Sequence, residues 1–456
     1  MKVLHYSLGL APYRSGGMTT WSMDLMKKQI EEGNEVTLLF PAEIKLVSHK
    51  ISVKISQPFE GIRVYRLMNP LPVPLLYGID STTHYFNYDK TADFTEFFNA
   101  TAIDVIHLHT LMGLPIEFLE QAKQRDIDII YTAHDTFGIW PEASLGKNEL
   151  NMDPIFDLGY VGNQKVLSYA TIVLAQSAAY RRFKSARPIK WAKAVLRTLN
   201  SKTKQGNSSV PSEIAAKVVE KGIYVELRSF YKNYFDLIDI IHFSSLLTEE
   251  IFAAYGVHNE SFITPVYHSK MITKPNLTLS LGSNTVRPIR LLYNGTLEQY
   301  KGYNLLLSVL DELAQESTRE FILVVYGTDT PARSYVEAHT SYTIAEVEKV
   351  YTDVDVTAVP SLCYETFGMV VAESLGFGVP VIVSRMVGSK NLLEGGKYGS
   401  EFQSRTDFKE MLRSIIEDST TLDLQKKAIV NSQDLQFDSN KTYTDIMQHY
   451  QAEVSV

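Results

Sequence analysis

The sequence predicts an α/β fold of two domains, each built on a parallel sheet, that face each other across a central cleft. Three observations carry this expectation. The first forty residues run strand, glycine loop, helix, strand; the same βα rhythm starts afresh at Ile289; and a polar, proline-containing stretch over 271–288 separates the two series with the composition of a linker. A chain of 456 residues is long enough for two such domains. Its 45% apolar and 21% charged residues are those of an ordinary globular protein.

In the first domain, 1–270, Lys2 to Leu8 reads as a buried strand and Gly16-Gly17 as part of a loop. Met18 to Glu32 is an amphipathic helix closed by Gly33, and Glu35 to Phe40 a second strand. That order implies a parallel sheet with ligands at the carboxyl ends of its strands. Polar and apolar residues alternate from Ile44 to Leu67 around Phe59, Glu60 and Gly61, which suggests extended strands or a hairpin. A strand from Val105 to His109, a helix near Pro115 to Arg125 and a strand from Asp128 to Thr132 follow, with His134 and Asp135 directly after the last. From about 140 to 235 the pattern gives way to polar loops and helical stretches, an elaboration whose sheet membership is open.

In the second domain, 289–436, strands are expected at Ile289–Tyr293, Phe321–Tyr326, Val354–Val359 and Val379–Val383. Helices alternate with them at Tyr303–Glu316, Ile344–Tyr351 and Phe367–Gly376, and only a short connection separates Tyr326 from Tyr342. A last helix near Lys441 to Glu453 occupies the segment 437–456.

A formal net charge of −8 argues against a chain that coats nucleic acid, and no nucleic-acid partner is expected. The single cysteine, Cys363, can form neither an intramolecular disulfide nor a thiolate metal site, which fits a reducing compartment and makes the cytoplasm the default location. The opening strand, soon interrupted by Pro12 and Arg14, is too polar for a signal peptide. The apolar stretch Leu71 to Ile79 falls far short of the ~20 residues of a membrane span. Arg181 to Lys204 holds nine Lys or Arg and no acidic residue, interleaved with Phe183, Trp191 and Leu196. Two readings of it stay open: a peripheral contact with anionic lipid at the inner face of the plasma membrane, and a solvated helix face.

The densest chemistry lies between Pro360 and Glu373. Glu365 precedes a helix and Glu373 lies about two turns along it, so the two carboxylates can address different parts of one ligand. The free backbone N–H groups of the first turn, near Phe367, Gly368, Met369 and Val370, offer an anion site suited to a diphosphate. Asp353 and Asp355 imitate an Asp-x-Asp metal site, but Asp355 opens an apolar strand and no third ligand is evident, so no metal site is read there. His107 and His109 alternate on one strand and at least one reads as a packed core histidine, whereas His134 follows a strand end where such folds bind ligands.

With its Glu, seven residues, Glu spacing followed by Gly376 and Gly378-Val379-Pro380, this stretch resembles the signature of retaining GT-B glycosyltransferases, glycosyltransferase family 4 in particular. The resemblance extends to the Gly16-Gly17 loop, to Thr132-Ala133-His134-Asp135, to Asn294-Gly295-Thr296 with Lys301-Gly302, and to Asp355 through Ser361. It implies two Rossmann-like domains, a nucleotide-sugar donor (taken as UDP-linked), no metal or other cofactor, and a saccharide or lipid-linked saccharide as acceptor in bacterial surface polysaccharide assembly. By the same resemblance Glu373 binds the ribose hydroxyls, Glu365 and the Phe367–Val370 backbone hold the transferred sugar, and Lys301 neutralises the diphosphate. His134 touches the sugar or the acceptor hydroxyl, with Asp135 and His109 as secondary positions, and the 437–456 helix packs back on the first domain. Gly16 and Gly17 let the backbone approach the phosphates or the acceptor closely. One position departs from the family pattern: Thr296 stands where an arginine is usual, which removes a phosphate clamp. Two alternatives remain: an epimerase or phosphorylase of the same fold, and a non-catalytic glycosyltransferase-like subunit.

Overall fold

A computed structural model describes residues 1–10, 14, 16–45, 49–75, 78–139, 166–177, 180, 221–267, 287–297, 299–326, 332–339, 342–343, 346–433, 435 and 437–451. The basic stretch 181–204 and the linker up to 286 lie outside these residues, as does much of the 140–235 elaboration.

The first sheet has eight strands. In chain order they are β1 (Lys2–Tyr6), β2 (Glu35–Pro41), β3 (Ser52–Ile55), β4 (Arg63–Met68), β5 (Val105–Leu108), β6 (Asp128–Thr132), β7 (Ile240–Phe243) and β8 (Glu260–Ile263). Their spatial order is β8-β7-β6-β5-β1-β2-β4-β3. β1 pairs in parallel with β2 on one side and β5 on the other, so the chain reverses its direction of winding at β1. Helix α1 (Gly17–Glu31) connects β1 to β2 and ends where Gly33 turns to φ +84, a conformation a β-carbon disfavours. The alternation around Gly61 is a hairpin: β3 runs antiparallel to β4, and Glu60 and Gly61 both take positive φ at its turn. The sequence left β7 and β8 unassigned.

The second sheet is parallel throughout. Its strands are β9 (Ile289–Asn294), β10 (Phe321–Tyr326), β11 (Val336–His339), β12 (Val356–Val359), β13 (Val381–Ser384) and β14 (Gly399–Phe402), in the spatial order β11-β10-β9-β12-β13-β14. The connection between Tyr326 and Tyr342 therefore contains an edge strand, β11, which a half-buried run of Val, Glu, Ala and His does not advertise. Helix α2 (Tyr303–Glu316) follows β9, α3 (Val347–Tyr351) precedes β12, and α4 (Met369–Gly376) follows it. α4 begins two residues later than its apolar pattern suggests, because Gly368 sits at φ +85 and cannot be part of a right-handed helix.

The chain divides into two compact units, one containing Met1–Tyr131 and the other Ile241–Val456 together with Thr132–Asp135. Within the second, the last helix, α5 (Ser439–Gln451), packs on β8. His449 stacks on Phe262 with ring centroids 3.7 Å apart, and Thr264 Oγ1 donates to Asp445 Oδ2 at 2.9 Å. Among the described residues no helix is long and apolar enough to cross a membrane.

Candidate functional site

In the second sheet the order reverses between β9 and β12, and a parallel α/β sheet opens a crevice beyond the carboxyl ends of such a strand pair. Two loops meet there. The loop after β9 ends at Gly302, which has φ +75 and on which a Cβ would lie 1.7 Å from the Pro360 carbonyl oxygen, so only glycine fits against the loop after β12. Leu362 N–H donates to the Tyr300 carbonyl at 2.7 Å and completes the seam. The seam brings Lys301 Nζ within 3.0 Å of Glu365 Oε2. Burial is the largest single influence and works to lower the pKa of the Lys301 ammonium, but the Glu365 charge and hydrogen bond, with Cys363 and Tyr300, together hold the group above the ordinary lysine value.

Glu365 is held on every side. Ser361 Oγ donates to its Oε1, its N–H donates to the Met386 carbonyl at 2.9 Å, and its own carbonyl accepts from Gly388 N–H at 2.9 Å. The Thr366 carbonyl accepts three hydroxyls, from Ser244 (3.1 Å), Ser245 (2.6 Å) and Thr248 (2.8 Å). Gly388 is required beside it, since a Cβ would meet the Thr366 carbonyl oxygen at 2.2 Å. Nearby Cys363 is buried, which pushes its thiol up to about 12 against the lowering effect of Lys301, so it is a neutral thiol and no nucleophile.

The segment then enters α4 through Gly368, whose carbonyl accepts from Ser389 Oγ at 3.1 Å. The amides of Met369 and Val370 belong to the unsatisfied first turn of the helix. The Phe367 side chain is buried against Tyr267. Glu373, half-buried on α4, accepts a hydrogen bond from Tyr351 Oη at 3.1 Å. Thr296 is exposed and its carbonyl accepts from Tyr293 Oη at 2.6 Å. Asp355 lies at the opposite, amino end of β12, salt-bridged to Arg287 (2.7 Å) and Lys426 (2.8 Å), as a structural ion pair demands.

His134 joins this assembly through its backbone, whose carbonyl accepts from Thr366 Oγ1 at 3.0 Å. Its ring keeps some exposure, but burial, aided by neighbouring His242, pushes its pKa down to about 3, so it is neutral at pH 7. Asp135 beside it is buried. In the first unit, Gly16 precedes α1 at φ +121 with open space where a Cβ would stand, so its conformation rather than crowding calls for glycine; Gly17 is the first residue of the helix.

His109 is fully buried with His5 and His107, and one ring nitrogen from each lies within 4.8 Å of the other two. His5 Nδ1 and His109 Nε2 share a hydrogen bond of 2.9 Å, and His5 Nε2 bonds Gln29 Oε1 at 2.7 Å. The His5 and His109 planes differ by 10° and those of His107 and His109 by 28°. Both ring nitrogens of His5 are taken up by the hydrogen bonds to His109 and Gln29, so the cluster packs as a hydrogen-bonded core.

Spacing in the sequence pointed to Glu365 and Glu373, and the family resemblance to Lys301. Ser389, Thr366 and Tyr351 were missed as supporting residues because their partners are distant in the chain, and Ser361 was missed although its partner Glu365 is only four residues on.

The family model for glycosyl transferases group 1 matches residues 288–418. A Klebsiella pneumoniae protein described as an uncharacterized 42.6 kDa protein in the cps region is 26% identical over 148 residues, 31% of this chain and 38% of that relative, so the match spans well under half of its length. Among solved structures, sucrose-phosphate synthase from Thermosynechococcus elongatus aligns with a TM-score of 0.59 at 14% identity over 99% of this chain and 98% of its own. HepE from Anabaena, in complex with UDP-glucose, aligns with a TM-score of 0.55 at 12% identity, over 99% and 100%. WaaG, a glycosyltransferase involved in lipopolysaccharide biosynthesis, gives 0.52 at 13% identity over the whole of both chains. At such identities the structural matches speak for the fold, which is GT-B with two Rossmann-like domains. Residues 288–418 thus match the glycosyl transferases group 1 domain, on a chain whose fold is GT-B.

Proposed function

We propose that the protein is a retaining glycosyltransferase that moves a sugar from a nucleoside diphosphate, UDP for preference, to a saccharide or lipid-linked saccharide in bacterial surface polysaccharide assembly. The observation that carries this reading is the Lys301–Glu365 pair at the reversal point of the second sheet, beside the open first turn of α4. The amides of Gly368, Met369 and Val370 and the Lys301 ammonium stabilise the charge that builds on the departing diphosphate. Glu365, fixed by Ser361 and Lys301, accepts hydrogen bonds from the transferred sugar, and Glu373 accepts them from the ribose. His134, neutral at pH 7, lends a hydrogen bond to the sugar or the acceptor hydroxyl, with Asp135 in a supporting role. No metal or other cofactor enters this scheme. The cps-region relative and the UDP-glucose complex of HepE support the choice of pathway and donor. The basic 181–204 stretch supports a cytoplasmic protein seated peripherally on the membrane.

One observation favours a second reading. Thr296 supplies no phosphate cation, as in a non-catalytic glycosyltransferase-like subunit. Donor turnover by purified protein, compared with Glu373→Ala and Lys301→Ala, tests the first reading; equal turnover in all three rules out this site. Calorimetry with nucleoside diphosphates tests the second, since such a subunit binds none.

A further inference from the structure

Behind Glu373 stands a chain of polar groups drawn from separate segments of the second unit. Tyr351, the last residue of α3, is buried and lies flat on Phe377, with centroids 4.9 Å apart and planes within 10°. Its Oη donates to Glu373 Oε2 at 3.1 Å. Asn294, the last residue of β9, donates from Nδ2 to Tyr342 Oη at 2.6 Å, and its side chain also hydrogen-bonds Tyr351. The Asn294 contact works to lower the Tyr351 pKa, which is the effect of an amide N–H donating to the phenol oxygen, so Asn294 serves both tyrosines as donor. That occupies an acceptor position of the Tyr351 oxygen and directs the Tyr351 proton at Glu373.

We propose that Asn294, Tyr342 and Tyr351 form a positioning relay that fixes the Glu373 carboxylate and thereby makes the site discriminate a ribose diol from a deoxygenated sugar. The inference rests on the ribose role given to Glu373 under Proposed function. A glutamate on a helix turns freely about its side-chain bonds, and a vicinal diol is read well only by a carboxylate held in one orientation. The relay supplies that orientation without touching the ligand through Tyr351. Its polarity is set at Asn294, where the strand ends beside the reversal point, so the same loop that carries Lys301 also orders the ribose side of the pocket.

The test is calorimetry on the full chain with whichever of ADP, CDP, GDP and UDP binds most tightly, and with its 2′,3′-dideoxy counterpart. Tyr351→Phe keeps the ring on Phe377 and removes one hydroxyl; Asn294→Leu removes the donor that orders the relay. The wild type is expected to prefer the ribonucleotide by about 100-fold, since a hydrogen bond to a charged group discriminates strongly when lost. Both variants should cut that preference to about tenfold or less, with affinity for the dideoxy compound changed by no more than about twofold and melting temperatures close to the wild type. An unchanged preference in Tyr351→Phe overturns the relay alone, as does a loss shared equally by both nucleotides, which is what a merely structural tyrosine would give. A wild type that binds none of the four overturns the donor-site reading and the relay with it.

Discussion

At pH 7 Lys301 carries its charge before any donor arrives, and Glu365 already shares it. A diphosphate must therefore compete for an ammonium that is partly spoken for, with no arginine at position 296 to help. Thr296 is exposed, so Thr296→Arg should be tolerated and should tighten nucleoside diphosphate binding about tenfold, the scale of one added charge-assisted hydrogen bond, as read by calorimetry. Lys301→Ala should lower kcat/KM by about 100-fold or more, because it removes a charge that acts on the leaving group. The His134 ring is uncharged throughout the neutral range, so His134→Gln should reduce activity by the same factor at pH 6 and at pH 8; a loss confined to one side of pH 6.5 would contradict its neutrality. Glu365 and Glu373 stood out in the sequence as candidates because they bracket a helix start at a fixed spacing, and Lys301 through the family resemblance. Tyr351 was not, since nothing in the chain around it says that its hydroxyl meets a carboxylate 22 residues away.

The elements are held by contacts that only glycine permits. Gly302 and Gly388 each sit where a β-carbon would collide with a backbone carbonyl, at Pro360 and Thr366 respectively. Gly302→Ala should cost about 2–4 kcal/mol in urea unfolding, combining a positive φ with a backbone clash, and should loosen the Lys301–Glu365 pair with it. The glycines are visible in the sequence, but which carbonyl each one faces is not. The same holds for β11 and for the late start of α4: an edge strand without an apolar run and a helix entered through a left-handed residue both defeat a reading based on periodicity.

Over the whole molecule, several histidines are buried as neutral rings. Burial pushes His5 and His242, neither of them exposed, down to about 4 despite hydrogen bonds that work the other way. Their unfolded value is about 6.5, so the unfolded chain binds more protons between those limits. Their contribution to stability is complete above about pH 6.5 and is lost as the pH falls toward 4, with a slope of up to about 1.4 kcal/mol per pH unit for each ring. Urea midpoints should accordingly fall from pH 7 to pH 5, and His242→Gln should flatten that fall; a midpoint independent of pH would refute the account. From the sequence alone came the α/β class, the two βα series, the hairpin at Gly61 and the carboxylates of the second series, because periodicity, turn chemistry and spacing along a helix are local properties of the chain. Which loops meet at the β9/β12 reversal, how Glu365 comes to share the Lys301 charge and why three histidines close into a core were decided by the tertiary structure, because each depends on atoms brought together from segments tens of residues apart.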